Sequence, residues 1–171
     1  MPNATQLIRR DHKKVEGLFD KFEHTKKADA KKRIVDQVIQ ELEVHAKVEE
    51  EIFYPAVRKH LGEEDMLEEA KREHQQAKEI MRELKKLDAE DEQLEEKFSE
   101  LMESVKHHVE EEEGEMLPKV EKSDMDLTEI GDEILERKEE LTEQLQGKGS
   151  KSRAGRKPPK SAGRRKSGRA A

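Results

Sequence analysis

Residues His45–Pro55 read HAKVEEEIFYP, and His108–Pro118, 63 positions later, read HVEEEEGEMLP. Each copy has a histidine, a glutamate four positions on (Glu49, Glu112) and a proline ten positions on (Pro55, Pro118). On an α-helix, positions i and i+4 stand one above the other on a single face. Each copy therefore offers an imidazole and a carboxylate to one point in space. Two such faces make a metal site the leading idea, and the flanking chain reads as the scaffold that joins them.

Working outward, apolar residues recur at steps of three and four. From residue 3 to about 24 the seam is Ile8, His12, Val15, Phe19 and Phe22, with Asn3 or Thr5 as N-cap. From about 29 to 53 it is Val35, Val38, Leu42, His45, Glu49 and Ile52, and Pro55 is expected to end that helix. From about 64 to 87 it is Leu67, Ala70, His74, Ala77, Met81 and Leu84. From about 91 to 116 it is Leu94, Phe98, Leu101, Val105, His108 and Glu112, closed by Pro118. A fifth amphipathic segment, with Leu127, Ile130, Ile134, Leu141 and Leu145, starts at Asp126 and Glu129 and is expected on the outside of the bundle.

Short connections make neighbouring helices antiparallel. The spacing then predicts an all-α fold: an up-down-up-down four-helix bundle over residues 1–120, an added helix over 121–146, and a disordered basic tail over 147–171. His12, His45, His74 and His108 fall at one level, roughly 12–15 Å from the same end of the bundle at about 1.5 Å per residue. Glu49 and Glu112 lie one turn nearer that end. The chain also repeats as a whole, as two helical hairpins related by a pseudo-twofold.

Composition supports this outline. Charged residues make up 45% of the 171 and hydrophobic ones 31%, so the core is lean and drawn from narrow stripes. There is no cysteine, which excludes disulfides, thiolate metal sites and cysteine nucleophiles. No apolar run approaches the roughly 20 residues that span a bilayer, and MPNATQLIRRDHKK lacks an apolar signal core. A soluble, cytoplasmic protein with no membrane contact is expected. Residues 147–171 hold ten Lys and Arg and no acid, leaving 25 basic and 42 acidic residues, a net of −17, in the body. Such a tail suits sequence-independent, salt-sensitive binding of nucleic acid, or contact with the acidic body.

A lone histidine on an apolar face is more often a satisfied core residue than a ligand. Four at one level, two with a carboxylate one turn away, would bury six polar groups at several kcal/mol each without partners. A metal removes that cost. His12, His45, Glu49, His74, His108 and Glu112 are therefore the expected ligands. His24, His60 and His107 fall off the seams and read as surface residues. Glu50, Glu51, Glu111, Glu113 and Glu115 read as a solvated acidic face, and Asp11 and Glu73 as solvent-exposed, with a role behind the adjacent seam histidines as the less favoured alternative. Four imidazoles and two carboxylates without sulfur suit iron, with manganese or zinc as alternatives. Six ligands exceed one tetrahedral zinc and suffice for two bridged metals. HExxH is absent, and no histidine follows a glutamate at the Glu-x-x-His spacing of ferritin-like di-iron proteins.

The order His12, His45-x-x-x-Glu49, His74, His108-x-x-x-Glu112 resembles the hemerythrin-like (HHE cation-binding) domain over roughly residues 5–120. The resemblance implies a non-haem di-iron centre, with Glu49 and Glu112 bridging two iron ions and the four histidines as terminal ligands. It implies a protein that binds or senses dioxygen, peroxide or nitric oxide. Alternatives are an enzyme with catalase- or peroxidase-like turnover, and an iron store or buffer. Oxygen-carrying relatives have a fifth histidine where this chain has Ala70, one turn before His74. One iron is thus expected to keep an open position beside Ala70, walled by Ile8, Val15, Leu42, Ile52, Met81, Leu101 and Val105.

Overall fold

The computed structural model describes residues 1–154, with side chains described through Gly147. Among these residues the fold is all-α. The helices are α1 (Ala4–Glu23), α2 (Ala28–Val48), α3 (Tyr54–Leu61), α4 (Glu64–Lys85), α5 (Gln93–Glu111), α6 (Leu117–Glu121) and α7 (Leu127–Ala154). Two π-helical segments, Glu49–Phe53 and Glu112–Met116, join α2 to α3 and α5 to α6 without a break. Four rods result: α1, α2–α3, α4 and α5–α6.

Local chemistry sets the ends. Asn3 closes a capping box: its side chain accepts from the Gln6 amide at 3.0 Å, and the Gln6 side chain accepts from the Asn3 amide at 3.0 Å. Rod α2–α3 stops at Gly62, whose φ of 77° suits glycine. Asp126 starts α7 by accepting from the Glu129 amide at 3.0 Å.

The prolines do not end their helices, contrary to the expectation from sequence. Pro55 and Pro118 stand in the first turns of α3 and α6, where a missing N–H costs nothing. Within an unbroken α-helix each ring would meet the carbonyl four residues back. The π turns relieve that clash by shifting the bonding to i−5: the Tyr54 amide donates to Glu49, and the Leu117 amide to Glu112.

The core has two apolar clusters separated by a polar layer. One joins Val15, Phe19 and Phe22 of α1 to Val35, Val38, Leu84, Phe98 and Leu101. Its aromatic centre is Phe98, packed on Phe22 at 4.4 Å and edge-on to Phe19 at 5.7 Å between centroids. The other joins Ile8, Val48, Phe53, Tyr54, Leu67, Ala70 and Leu117 to Ile130, Ile134 and Leu141 of α7. Helix α7 packs on the outside as expected, across α1, α2 and the first π segment. It extends to Ala154, beyond the 146 boundary. The rest of the basic tail, 155–171, lies outside the described residues.

Gly131 of α7 rests against the start of the chain: a Cβ there would stand 2.9 Å from the Pro2 carbonyl oxygen and 3.0 Å from the Ala4 nitrogen. Gly17, in the middle of α1, faces open space. Gly131→Ala is expected to cost about 1–3 kcal/mol by overpacking, and Gly17→Ala to add about 0.5–1 kcal/mol. Urea titration of the two variants checks the opposite signs.

Candidate metal centre

The layer between the two clusters holds the six residues singled out in the sequence. His12, His45, Glu49, His74, His108 and Glu112 are all buried, with Glu49 at 0% and Glu112 at 2% exposure. The π segments begin at the two glutamates and set their direction. Each carboxylate presents one oxygen to each side. Glu49 Oε1 lies 2.7 Å from His45 Nε2, while Glu49 Oε2 lies 3.0 Å from His74 Nε2 and 3.9 Å from His108 Nε2. Glu112 Oε1 lies 3.2 Å from His12 Nε2, and Glu112 Oε2 lies 3.4 Å from His108 Nε2. Two donor groups thus form about the shared carboxylates: His12, His45, Glu49 and Glu112 in one, and Glu49, His74 and His108 in the other.

The outer nitrogen of every histidine meets a carboxylate. His45 Nδ1 lies 2.9 Å from Asp11, His108 Nδ1 2.9 Å from Glu73, His12 Nδ1 2.9 Å from Glu113 and His74 Nδ1 3.4 Å from Glu50. A carboxylate accepts, so Nδ1 carries a proton and Nε2 faces inward, where it holds a second proton in the metal-free chain or a lone pair once that proton leaves. His74 Nε2 and His108 Nε2 then face each other at 3.2 Å. His12 Nε2, His45 Nε2, Glu49 Oε1 and Glu112 Oε1 are buried with no hydrogen-bond partner. Lone pairs and anionic oxygens aimed at one another in a dry layer are the donor set of a cation site.

The Hemerythrin HHE cation binding domain model matches residues 3–120. The chain belongs to this family. An uncharacterized hemerythrin-like protein of Schizosaccharomyces pombe is 31% identical over 124 residues, covering 71% of this chain and 61% of that protein. A DNA nickase of Nostoc is 29% identical over 112 residues, covering 66% of this chain and 32% of that protein. This chain thus matches less than two-thirds of either relative's length. A crystal structure of an HHE cation binding domain-containing protein from Mycobacterium kansasii shares the fold, with a TM-score of 0.75 at 23% identity, covering 86% of this chain and 92% of that one.

In this HHE domain several residues do not lie where the sequence suggested. Asp11 and Glu73, expected in solvent, are largely buried and hold His45 and His108. Glu50 and Glu113 are half-buried and hold His74 and His12 rather than forming a free acidic face. His24, His60 and His107 are on the surface as expected.

Tyr54 was missed altogether. Its hydroxyl stands 2.8 Å from Glu49 Oε2, 2.7 Å from Glu112 Oε2 and 3.3 Å from His74 Nε2. At i+5 from Glu49 it is off-face on an α-helix, and the π turn brings it back onto the ligand face. Ala70 offers no donor and packs in the same apolar cluster as Tyr54. The position expected to stand open beside Ala70 therefore has a phenol oxygen near it. The matching residue of the second repeat is Leu117, so only one repeat supplies this oxygen.

Protons compete with a metal for these atoms. Burial pushes His45 toward neutrality, but Glu49 and Asp11 outweigh it and raise its pKa from 6.5 to about 10. His74 is raised against its burial by Glu49 and Glu50, and His108 well raised against its burial by Glu112, Glu49 and Glu73. Burial favours protonation of Glu49, yet His45, His108 and His74 hold it well below the usual carboxylate range. Burial and the two glutamates keep the Tyr54 hydroxyl protonated well above its usual value.

The His45 proton therefore supports folding of the metal-free chain. That contribution is complete below pH 6.5 and is lost as pH rises through about 10. Metal binding displaces the same proton, so affinity should rise across the same window. Thermal melts of chelator-treated protein should show the melting temperature falling over this range, with a shallower fall in His45→Gln. Manganese titrations of the wild type should show tighter binding at each higher pH.

Proposed function

We infer that His12, His45, Glu49, His74, His108 and Glu112 hold two iron ions and that the domain binds or senses dioxygen, peroxide or nitric oxide there. The reading is carried by the split of each carboxylate, one oxygen toward His12 and His45 and the other toward His74 and His108. Iron, when bound, supplies redox electrons and positions for a small oxygen or nitrogen ligand.

The chain's own residues do the rest. Asp11, Glu73, Glu113 and Glu50 orient the four imidazoles through Nδ1. A cavity of about 40 Å³ adjoins the histidines, walled by Val15, Leu42, Ala77, Met81 and Val105. It has room for a molecule of a few atoms and little polar surface to hold water in place of one. Val15, Leu42, Met81 and Val105 were expected from sequence to wall a position beside Ala70, but Ala70 does not line this cavity and instead lines the groove that passes Glu69 and Glu115. Lys78 also lines the cavity and is paired with Glu50 at 2.8 Å, which places a proton donor near His74.

One observation favours peroxide turnover over reversible carriage. The Tyr54 oxygen lies within 3.5 Å of both His74 Nε2 and His108 Nε2. If a bound metal displaced the Tyr54 proton, the resulting hard phenolate oxygen would favour its ferric state, whereas reversible oxygen binding needs the ferrous state. Two peroxide molecules would then be converted to two waters and one dioxygen.

Elemental analysis of wild-type protein should give two irons per chain, His45→Ala and His108→Ala should lose them and melt lower, and His60→Ala should not. Oxygen evolution from added peroxide separates the readings: evolution abolished by His45→Ala marks an enzyme, and its absence beside a spectral change on adding nitric oxide marks a binding protein. Tyr54→Phe should keep the iron and lose any visible phenolate-to-iron band. Iron no higher in wild type than in a His12/His45/His108 triple alanine variant would refute the centre.

The basic tail supports a second reading, contact with nucleic acid. It rests on the ten Lys and Arg of residues 147–171 and on the likeness to part of a protein called a DNA nickase. A chain ending at Ala154 should keep its metal and elute from immobilised DNA at lower salt than the full chain. Equal elution would remove this reading.

A further inference from the structure

The geometry points to a third metal site, a surface site for one divalent cation formed by Glu73, His107 and Glu111, which passes ferrous ion to the buried centre. The pseudo-twofold is the first argument. In the first hairpin, Asp11 accepts at Oδ2 from His45 and at Oδ1 from the ammonium of Lys138 on α7. In the second hairpin, Glu73 takes the matching place and gives Oε1 to His108 at 2.9 Å. Its other oxygen, Oε2, is buried and has no hydrogen-bond partner, and Glu73 itself is 8% exposed. A carboxylate oxygen that is paired with a cation in one repeat thus lacks one in the other. Burying it so is costly unless a cation is at hand.

The second argument is what lies in front of that oxygen. His107 Nε2 is 3.5 Å from Glu73 Oε2 and 3.1 Å from Glu111 Oε1, so the three donor atoms converge within 4.8 Å. His107 and Glu111 are one turn apart on α5 and on one face. Their counterparts in the first repeat are Val44 and Val48, buried in the cluster that α7 covers. The second repeat has donors in solvent where the first has valines under a helix. One imidazole and two carboxylates suit a first-row divalent ion such as ferrous iron or manganese.

The third argument is the route inward. A groove of about 350 Å³ runs past Glu69, Glu73, Glu111 and Glu115 and reaches His108 and Glu112. Such an acidic cleft concentrates cations. Glu73 spans the two sites, with Oε2 on the surface site and Oε1 on His108. The surface site stands apart from the di-iron reading; its role in loading rests on that reading.

The test uses the full chain, with His107→Ala and Glu111→Gln. His107 is exposed and Glu111 half-exposed, and neither side chain is hydrogen-bonded to the six buried donors, so both variants should keep the wild-type circular dichroism spectrum. Manganese is titrated into iron-loaded protein, and free manganese is counted by electron spin resonance. Wild type and His60→Ala should each take up one further ion per chain, and the two variants none, at unchanged iron content. Uptake of ferrous ion into chelator-treated protein, followed anaerobically by stopped flow, should slow severalfold in both variants. No extra manganese in wild type, or equal uptake in the variants, would overturn the site, leaving His107 as an ion-pair partner only. Loss of the ion with unchanged loading would overturn the transfer role. A chain that takes no iron yet binds one manganese through His107 would uphold the site and refute the di-iron reading.

Discussion

Two carboxylates with almost no solvent exposure, Glu49 and Glu112, sit at the middle of the bundle, in a chain whose apolar share is only 31%. Neither could stay ionised there alone, because transfer of an unpaired carboxylate into a dry layer costs several kcal/mol even after relaxation. Everything near them answers this constraint. Four imidazoles converge on their oxygens, and four outer carboxylates fix the imidazoles. Without metal, protons on His45, His74 and His108 balance the charge, as their raised pKa values indicate. On the di-iron reading, the same lone pairs would serve as ligands once metal displaced those protons. The site is thus a layer in which cations and protons exchange, held between two apolar clusters that keep water out.

The π segments give this layer its shape. An α-helix running through Glu49 would keep His45 and Glu49 together but turn Tyr54 away. The wide turn at Glu49–Phe53 places His45, Glu49 and Tyr54 on one wall and spares Pro55 a clash with the carbonyl behind it. The proline and the ligand geometry therefore belong to one device. Its second copy, Glu112–Met116 before Pro118, repeats the backbone and carries Leu117 in place of the phenol.

Most of the bundle and all six buried donors were legible in the sequence, because a period of 3.6 residues puts His12, His45, His74 and His108 on seams and an i+4 step adds Glu49 and Glu112. What escaped was whatever broke that period. Tyr54 escaped because a π turn changes the register by one residue. Asp11, Glu73, Glu50 and Glu113 escaped because each adjoins a seam residue and turns sideways to a neighbouring rod, a contact that depends on how the rods pack. The run of glutamates after each histidine looks like a solvated face, yet it holds a buried donor and an orienting group side by side, Glu49 and Glu50 in the first repeat and Glu112 and Glu113 in the second. The prolines misled because the rule that they end helices assumes α geometry throughout.

The two hairpins share a backbone plan but differ in their surroundings. Helix α7 covers the first hairpin: it packs on Val44 and Val48, its Lys138 is paired with Asp11, and its Arg137 holds Glu51 of the first π segment at 2.7 Å. The His12–His45 side is thereby braced from outside through Asp11. On the His74–His108 side the lysine behind the orienting carboxylate is Lys78 of α4, paired with Glu50; Glu73 behind His108 looks out on an acidic groove, and Tyr54 reaches in from the other repeat's rod. A pseudo-symmetric bundle thus has one half covered by a helix and one half open to a groove. Exchange with solvent needs a path, and the groove supplies it on the second half. An ion held at the His74–His108 donors would therefore have the shorter path to solvent, whereas one held at the His12–His45 donors would lie behind α7.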